Sequence, residues 1–145
     1  MDDIDDLYQE MILDHGRRPR NRRPMPDATH ACEGFNPLCG DHFTVRLRVV
    51  DGIVADVAFE GTGCAISTAS ASLLTEAVRG RSPEGFEQLF QGVHATAMGT
   101  ETTEDVGKLA VLSGVVAFPM RVKCATLAWH AARGALKDTG VTSTE

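Results

Sequence analysis

Two runs of alternating apolar and polar residues, 42–50 and 53–60, flank Asp51-Gly52. This feature constrains the chain most. Alternation with period two places Phe43, Val45, Leu47 and Val49 on one face of a strand, and a Gly-containing turn between two such runs predicts an antiparallel hairpin. A two-residue loop sets Leu47 beside Asp56 and mixes the faces. A three-residue loop, Val50-Asp51-Gly52, pairs Phe43 with Phe59, Val45 with Val57, Leu47 with Ala55 and Val49 with Ile53. One face is then wholly apolar, and Gly52 supplies the left-handed residue. The three-residue loop is therefore the expected register. At the open end it sets Cys39 opposite Gly63, next to Cys64.

The other segments surround this hairpin. Residues 3–15 carry Ile4, Leu7, Tyr8, Met11, Ile12 and His15 at helical spacing. A loop rich in Arg and Pro follows over 16–28, and 29–35 reads as a short edge strand. Helices are expected over 65–79, over 83–92 behind Pro83, over 104–114, and from Pro119 to about Lys137, with 93–103 a polar connection. The expected fold class is α+β, a small antiparallel sheet of about three strands with helices packed on one face. The length of 145 residues suits a single domain over 1–145, with 139–145 a flexible tail.

Composition narrows the function. The chain is 43% hydrophobic and 23% charged, as in ordinary soluble proteins. It has no apolar run of the ~18 residues that a membrane span needs. An acidic start, Met1-Asp2-Asp3-Ile4-Asp5-Asp6, is unlike an export or organelle signal, so a cytoplasmic location is expected. A net charge of −6 argues against nucleic-acid binding. Arg17, Arg18, Arg20, Arg22 and Arg23 form the main basic cluster, readable as a solvated loop or as a docking patch for an acidic partner.

Four cysteines, Cys32, Cys39, Cys64 and Cys124, are expected to be thiols in such a location. Cys64 directly precedes one expected helix, and Cys124 lies near the start of another, flanked by Arg121 and Lys123. Helix N-termini favour anions, and the thiolate is both nucleophile and metal ligand. Cys39, Asp41, Cys64 and Cys124 would make a four-ligand, sulfur-rich tetrahedral site, suited to zinc or an iron–sulfur cluster. Taken singly, each cysteine also reads as a small buried hydrophobe, and Asp41 as a turn residue or cap. Cys32 reads as a plain strand residue, and His42 should point away from Asp41.

Longer motifs sharpen this. Leu7-Tyr8, Asp14-His15, Pro19-Arg20-Asn21, Asn36-Pro37-Leu38-Cys39-Gly40-Asp41, Gly61-Thr62-Gly63-Cys64-Ala65-Ile66-Ser67 and Phe118 to Leu127 resemble the U-type iron–sulfur assembly proteins, the family of IscU and the N-terminal part of NifU. The likeness spans about Leu7 to Ala135 and implies a SufE/NifU-like fold. Lys123 stands where IscU-type scaffolds carry a histidine, and a stretch of roughly Arg81 to Thr100 is additional. Both features resemble the SufU type.

That resemblance implies Zn2+ held by Cys39, Asp41, Cys64 and Cys124, and a SufS-type, pyridoxal-phosphate-dependent cysteine desulfurase as partner. Cys39 would accept persulfide sulfur and pass it towards a SufBCD-type assembly complex. The chain would then be a zinc-dependent sulfurtransferase and an activator of the desulfurase. Arg121 is expected to stabilise the freed Cys39 thiolate. The alternative reading is a scaffold on which an iron–sulfur cluster is built and handed on, using the same ligands.

Overall fold

The structure is a computed structural model; it describes residues 3–37, 40–101, 106–116, 118–137 and 141–143. Chain order is α1 (Asp3–Arg17), β1 (His30–Asn36), β2 (Asp41–Val50), β3 (Ile53–Thr62), α2 (Ala65–Val78), α3 (Pro83–Met98), a 3-10 segment (Gly107–Val115), α4 (Pro119–Leu136) and β4 (Val141–Ser143). The α+β expectation holds. β1, β2 and β3 form an antiparallel sheet; α4 packs against β1 and β2, and α2 packs against β3 and α4.

The hairpin register differs from the expected one. Its loop has two residues, and both have positive φ: Asp51 at 52° and Gly52 at 76°. That is the type I′ pattern, whose twist matches the flanking strands. Val50 pairs with Ile53 and Val49 with Val54, but Arg48 pairs with Asp56. Ala55 is thus an extra residue, a β-bulge. The bulge removes the mixing of faces that argued against a two-residue loop. Beyond it Leu47 lies opposite Val57, and Val45 opposite Phe59, all buried. The expected apolar face holds beyond the bulge, with shifted pairings, but before it the parity is reversed: Val54 is buried and Ile53 is exposed.

Further differences lie outside the hairpin. β1 is not an edge strand, because Val141–Ser143 runs parallel beside Glu33–Phe35. Part of the expected tail thus pairs with backbone groups that an edge would leave open. α3 runs to Met98, stopped by Gly99 in the left-handed conformation, whose N–H bonds Thr96 O. The helix expected over 104–114 is a 3-10 segment burying Leu109, Val111, Leu112 and Val115.

The arginine loop is more tightly held than a solvated loop. Phe59 N–H donates to Asn21 O and Arg23 N–H to Phe59 O, both at 3.1 Å, so residues 21–23 lie along β3. Arg20 pairs with Asp14 and Arg23 with Asp56, each at 2.7 Å, while Arg22 donates to Gly61 O.

α2 is buried around most of its circumference, although it is rich in hydroxyls. The buried hydroxyls of Ser67, Ser70, Ser72 and Thr75 have partners, as burial requires. Ser70 donates to Ala125 O and accepts from Trp129 Nε1. Ser72 contacts His15 Nδ1 at 2.7 Å and accepts from Arg20 N–H at 2.8 Å. Thr75 bonds Ser72 O.

Candidate metal centre

β2, the start of α2 and the second turn of α4 bring three expected ligands together. The ligand atoms of Asp41, Cys64 and Cys124 all lie within 4.8 Å of one another. Cys39, with Leu38, lies outside the described residues. Its flanks are described: Asn36 pairs with Asp41 across β1 and β2, and Gly40 N–H donates to Asn36 O at 2.9 Å. The hairpin sets Asp41 against Cys64, because Asp41 Oδ1 accepts the Cys64 N–H at 3.0 Å.

Cys64 is the N-cap of α2, and its sulfur accepts from Ser67 N–H at 3.4 Å. A helix start leaves N–H groups without intrahelical partners, and a polar side chain at the N-cap satisfies one of them. Asp41 serves the same end from another strand. In a capping box, the residue at the third helical position reaches back to the N-cap N–H. Here Ser67 holds that position, but Asp41 takes the N-cap N–H and Ser67 Oγ donates to Asp41 Oδ2 at 2.8 Å. The bland reading of Asp41 as a cap is therefore also true.

Two glycines make this close approach feasible. A Cβ at Gly63 would sit 2.7 Å from Phe43 ring carbons and from Ser67 Oγ. Gly61, at φ 124°, passes against the His42 carbonyl, where a side chain has no room.

Cys124 does not occupy a helix N-terminus. α4 begins at Pro119, so Cys124 lies in its second turn, where the dipole and the open N–H groups have faded. It is buried beside Ala125, whose carbonyl is bonded to Ser70 on α2. Helix packing, not a helix start, brings it to the site. Arg121 is exposed, with its guanidinium 4.4 Å over the Phe118 ring. It borders a cleft of about 640 Å³ with Tyr8, Ile12, Ile66 and Val115. His42 points outward towards Glu33, at 3.8 Å, and Cys32 is a buried core residue, both as expected. Ser67 is a site residue that sequence reasoning left without a role; its place three residues after an N-cap cysteine points to the cap but not to Asp41.

The donors suit a zinc ion. Ligands on one tetrahedral zinc lie about 2.0–2.3 Å from it, hence roughly 3.5–4 Å from each other. The three donor atoms are within about an ångström of that spacing. Two sulfurs and one carboxylate also suit zinc chemically.

The family described as NifU-like N terminal domain matches residues 7–140. The chain belongs to this family. It is 38% identical over 140 residues to the zinc-dependent sulfurtransferase SufU of Bacillus subtilis, covering 94% of this chain and 95% of that one. It is 42% identical over 135 residues to the iron–sulfur cluster assembly scaffold protein IscU of Thermotoga maritima, covering 90% and 93%. Among solved structures, FiSufU from Fervidobacterium islandicum matches with a TM-score of 0.83 at 32% identity, covering 88% of this chain and 94% of that one. A NifU-like N-terminal structure from Brucella abortus matches at 0.76, with 25% identity and coverage of 92% and 94%. No described helix is long and apolar enough to cross a membrane.

Proposed function

We propose that this chain is an iron–sulfur cluster assembly protein that works in the cytoplasm as a zinc-dependent sulfurtransferase. Asp41, Cys64 and Cys124 hold zinc, with Cys39 as the fourth ligand and as the sulfur acceptor. The donor is a SufS-type, pyridoxal-phosphate-dependent cysteine desulfurase, and the recipient is a SufBCD-type assembly complex. The observation that carries this reading is the convergence of three donor atoms within 4.8 Å at the start of α2. The similarity to a SufU sulfurtransferase over nearly the whole chain supports it.

Bound zinc supplies positive charge that keeps the thiolates deprotonated and shielded from oxidation. The chain's own residues do the rest. The Cys39 thiolate attacks the outer sulfur of the donor persulfide. The donor S–S bond breaks, the donor cysteine leaves as a thiolate, and Cys39 carries the new S–S bond. Asp41, held by Cys64 N–H and Ser67 Oγ, stays fixed while Cys39 acts. Arg121 offers a charge to the Cys39 thiolate, and exposed Phe118 and Met120 beside it offer apolar area to the partner.

The test adds the purified protein to its desulfurase and measures alanine release. Strong stimulation by the zinc form, abolished in Cys39→Ala and reduced several-fold in Arg121→Ala, is expected. No stimulation by the wild-type zinc form would sink the reading. An unchanged rate in Arg121→Ala would remove Arg121 from it. The scaffold reading draws on the likeness to IscU proteins. It would be favoured by a brown, stable cluster after anaerobic reconstitution that transfers to an apo-protein.

A further inference from the structure

Ser67 touches two of the three candidate ligands and has been given no role. It is fully buried on the first turn of α2. Its Oγ lies 2.8 Å from Asp41 Oδ2, 3.2 Å from Cys64 Sγ and 3.2 Å from Cys64 O. A serine hydroxyl has one proton and two lone pairs, so it can donate to only one of these. The carboxylate is the shortest contact, and a charged acceptor makes the stronger hydrogen bond. The proton therefore goes to Asp41 Oδ2, and the Cys64 sulfur is met instead by the Ser67 backbone N–H at 3.4 Å.

This leaves Asp41 with a donor on each oxygen: Cys64 N–H on Oδ1 and Ser67 Oγ on Oδ2. Both donors belong to one rigid helix turn. A carboxylate held at both oxygens cannot rotate about its own bond. Held this way, it suits a single-oxygen ligand. We propose that Ser67 is a positioning residue of the metal centre, fixing the Asp41 carboxylate with its hydroxyl while its backbone N–H receives the Cys64 sulfur. This rests on the metal reading above. Hydrogen-bond partners of metal ligands orient them in this way, and their loss typically weakens metal affinity about 10–100-fold.

The experiment measures zinc affinity by chelator competition for the wild type, Ser67→Ala and Ser67→Thr, with cobalt(II) absorption as a second readout. Alanine suits a helix and only removes an atom, so Ser67→Ala should fold, as far-ultraviolet circular dichroism checks. The expected result is a loss of about 10–100-fold in zinc affinity in Ser67→Ala. Its cobalt bands should be shifted, and both properties should recover in Ser67→Thr, which retains the hydroxyl. A folded Ser67→Ala with affinity within about twofold of wild type and unchanged cobalt bands overturns the role of Ser67 while leaving the metal reading intact. Equal losses in Ser67→Ala and a folded Ser67→Thr also overturn it, since packing and not the hydroxyl would then be responsible. A wild-type chain that takes up no zinc overturns both.

Discussion

The tightest constraint at the scale of single residues is the space around Gly63. An added Cβ would meet Phe43 ring carbons and Ser67 Oγ, each at 2.7 Å. Phe43 is fully buried under the hairpin, and its ring packs edge-on against Phe59 at 5.7 Å between centroids, so it has no free side to move into. Ser67 is held by Asp41. Gly63→Ala should therefore force a shift at both ends, at a cost of about 1–3 kcal/mol, as for other overpacked sites. The urea unfolding midpoint would register this. A midpoint at the wild-type value would mean that the strand end yields freely. Because the shift reaches Ser67 and Asp41, zinc affinity should fall as well.

At the scale of elements, α2 organises the molecule. A helix buried on most sides is usually apolar, but this one carries buried Ser67, Thr68, Ser70, Ser72 and Thr75. Ser67 secures β2 through Asp41, Ser70 secures α4, and Ser72 secures α1 and the arginine loop through His15 and Arg20. Small side chains let neighbouring elements approach, and each hydroxyl gives the approach a direction. Trp129, fully buried and stacked on Phe86 at 6.1 Å, has its indole N–H satisfied only through Ser70 among the described contacts. Ser70→Ala would leave that N–H and the Ala125 carbonyl without this partner. The expected loss is about 1–3 kcal/mol, the usual cost of unsatisfied buried groups. Since Cys124 precedes Ala125, zinc affinity should weaken in the same variant. Denaturant titration and chelator competition would check the two effects separately, and an unchanged affinity would show that α4 keeps its place without this bond.

At the scale of the whole molecule, one buried and one half-buried histidine, His15 and His130, set the acid response. Burial holds His15 below the ordinary histidine value, helped by Arg20 and opposed by Glu76 and Asp14. Burial likewise lowers His130, with His94 and Arg133 adding to it. The unfolded chain therefore binds more protons than the folded one near pH 6, and stability must rise with pH there. Stability should be level above the unfolded histidine value of about 6.5 and decline as pH drops below it towards the lowered folded values. Asp14 and Asp56 act at lower pH. The Arg20 hydrogen bond lowers Asp14. Burial would raise Asp56, but Arg23, the Val57 N–H and Arg79 outweigh it and lower it. Their stabilising share is present above the unfolded carboxylate value of about 3.9 and is lost as pH falls through the folded values. Unfolding free energies measured from pH 8 to pH 4 on metal-free protein should trace the histidine decline, with a shallower slope in His130→Gln. A flat profile between pH 7 and pH 5 would contradict this.

Local periodicity and turn chemistry determined much of this protein. The alternation around Asp51-Gly52 specified the hairpin and the apolar face of Phe43, Val45, Leu47, Val57 and Phe59, because side-chain direction along an unbulged strand depends only on residue parity. Pro83 and Pro119 marked two helix starts, since proline is tolerated there and not further in. Three separated motifs point to Cys39, Asp41, Cys64 and Cys124 as one four-ligand site. The tertiary structure decided what depends on several elements at once. The bulge at Ala55 rests on reconciling a type I′ turn with a buried face, which neither strand encodes alone. The protected outer side of β1 rests on residues more than a hundred positions further along the chain. Cys124 reaches the site through α4 packing on α2, not through a helix dipole. Ser67 matters because β2 delivers a carboxylate to its hydroxyl, and that meeting follows from register and packing, which no local signal in the chain records.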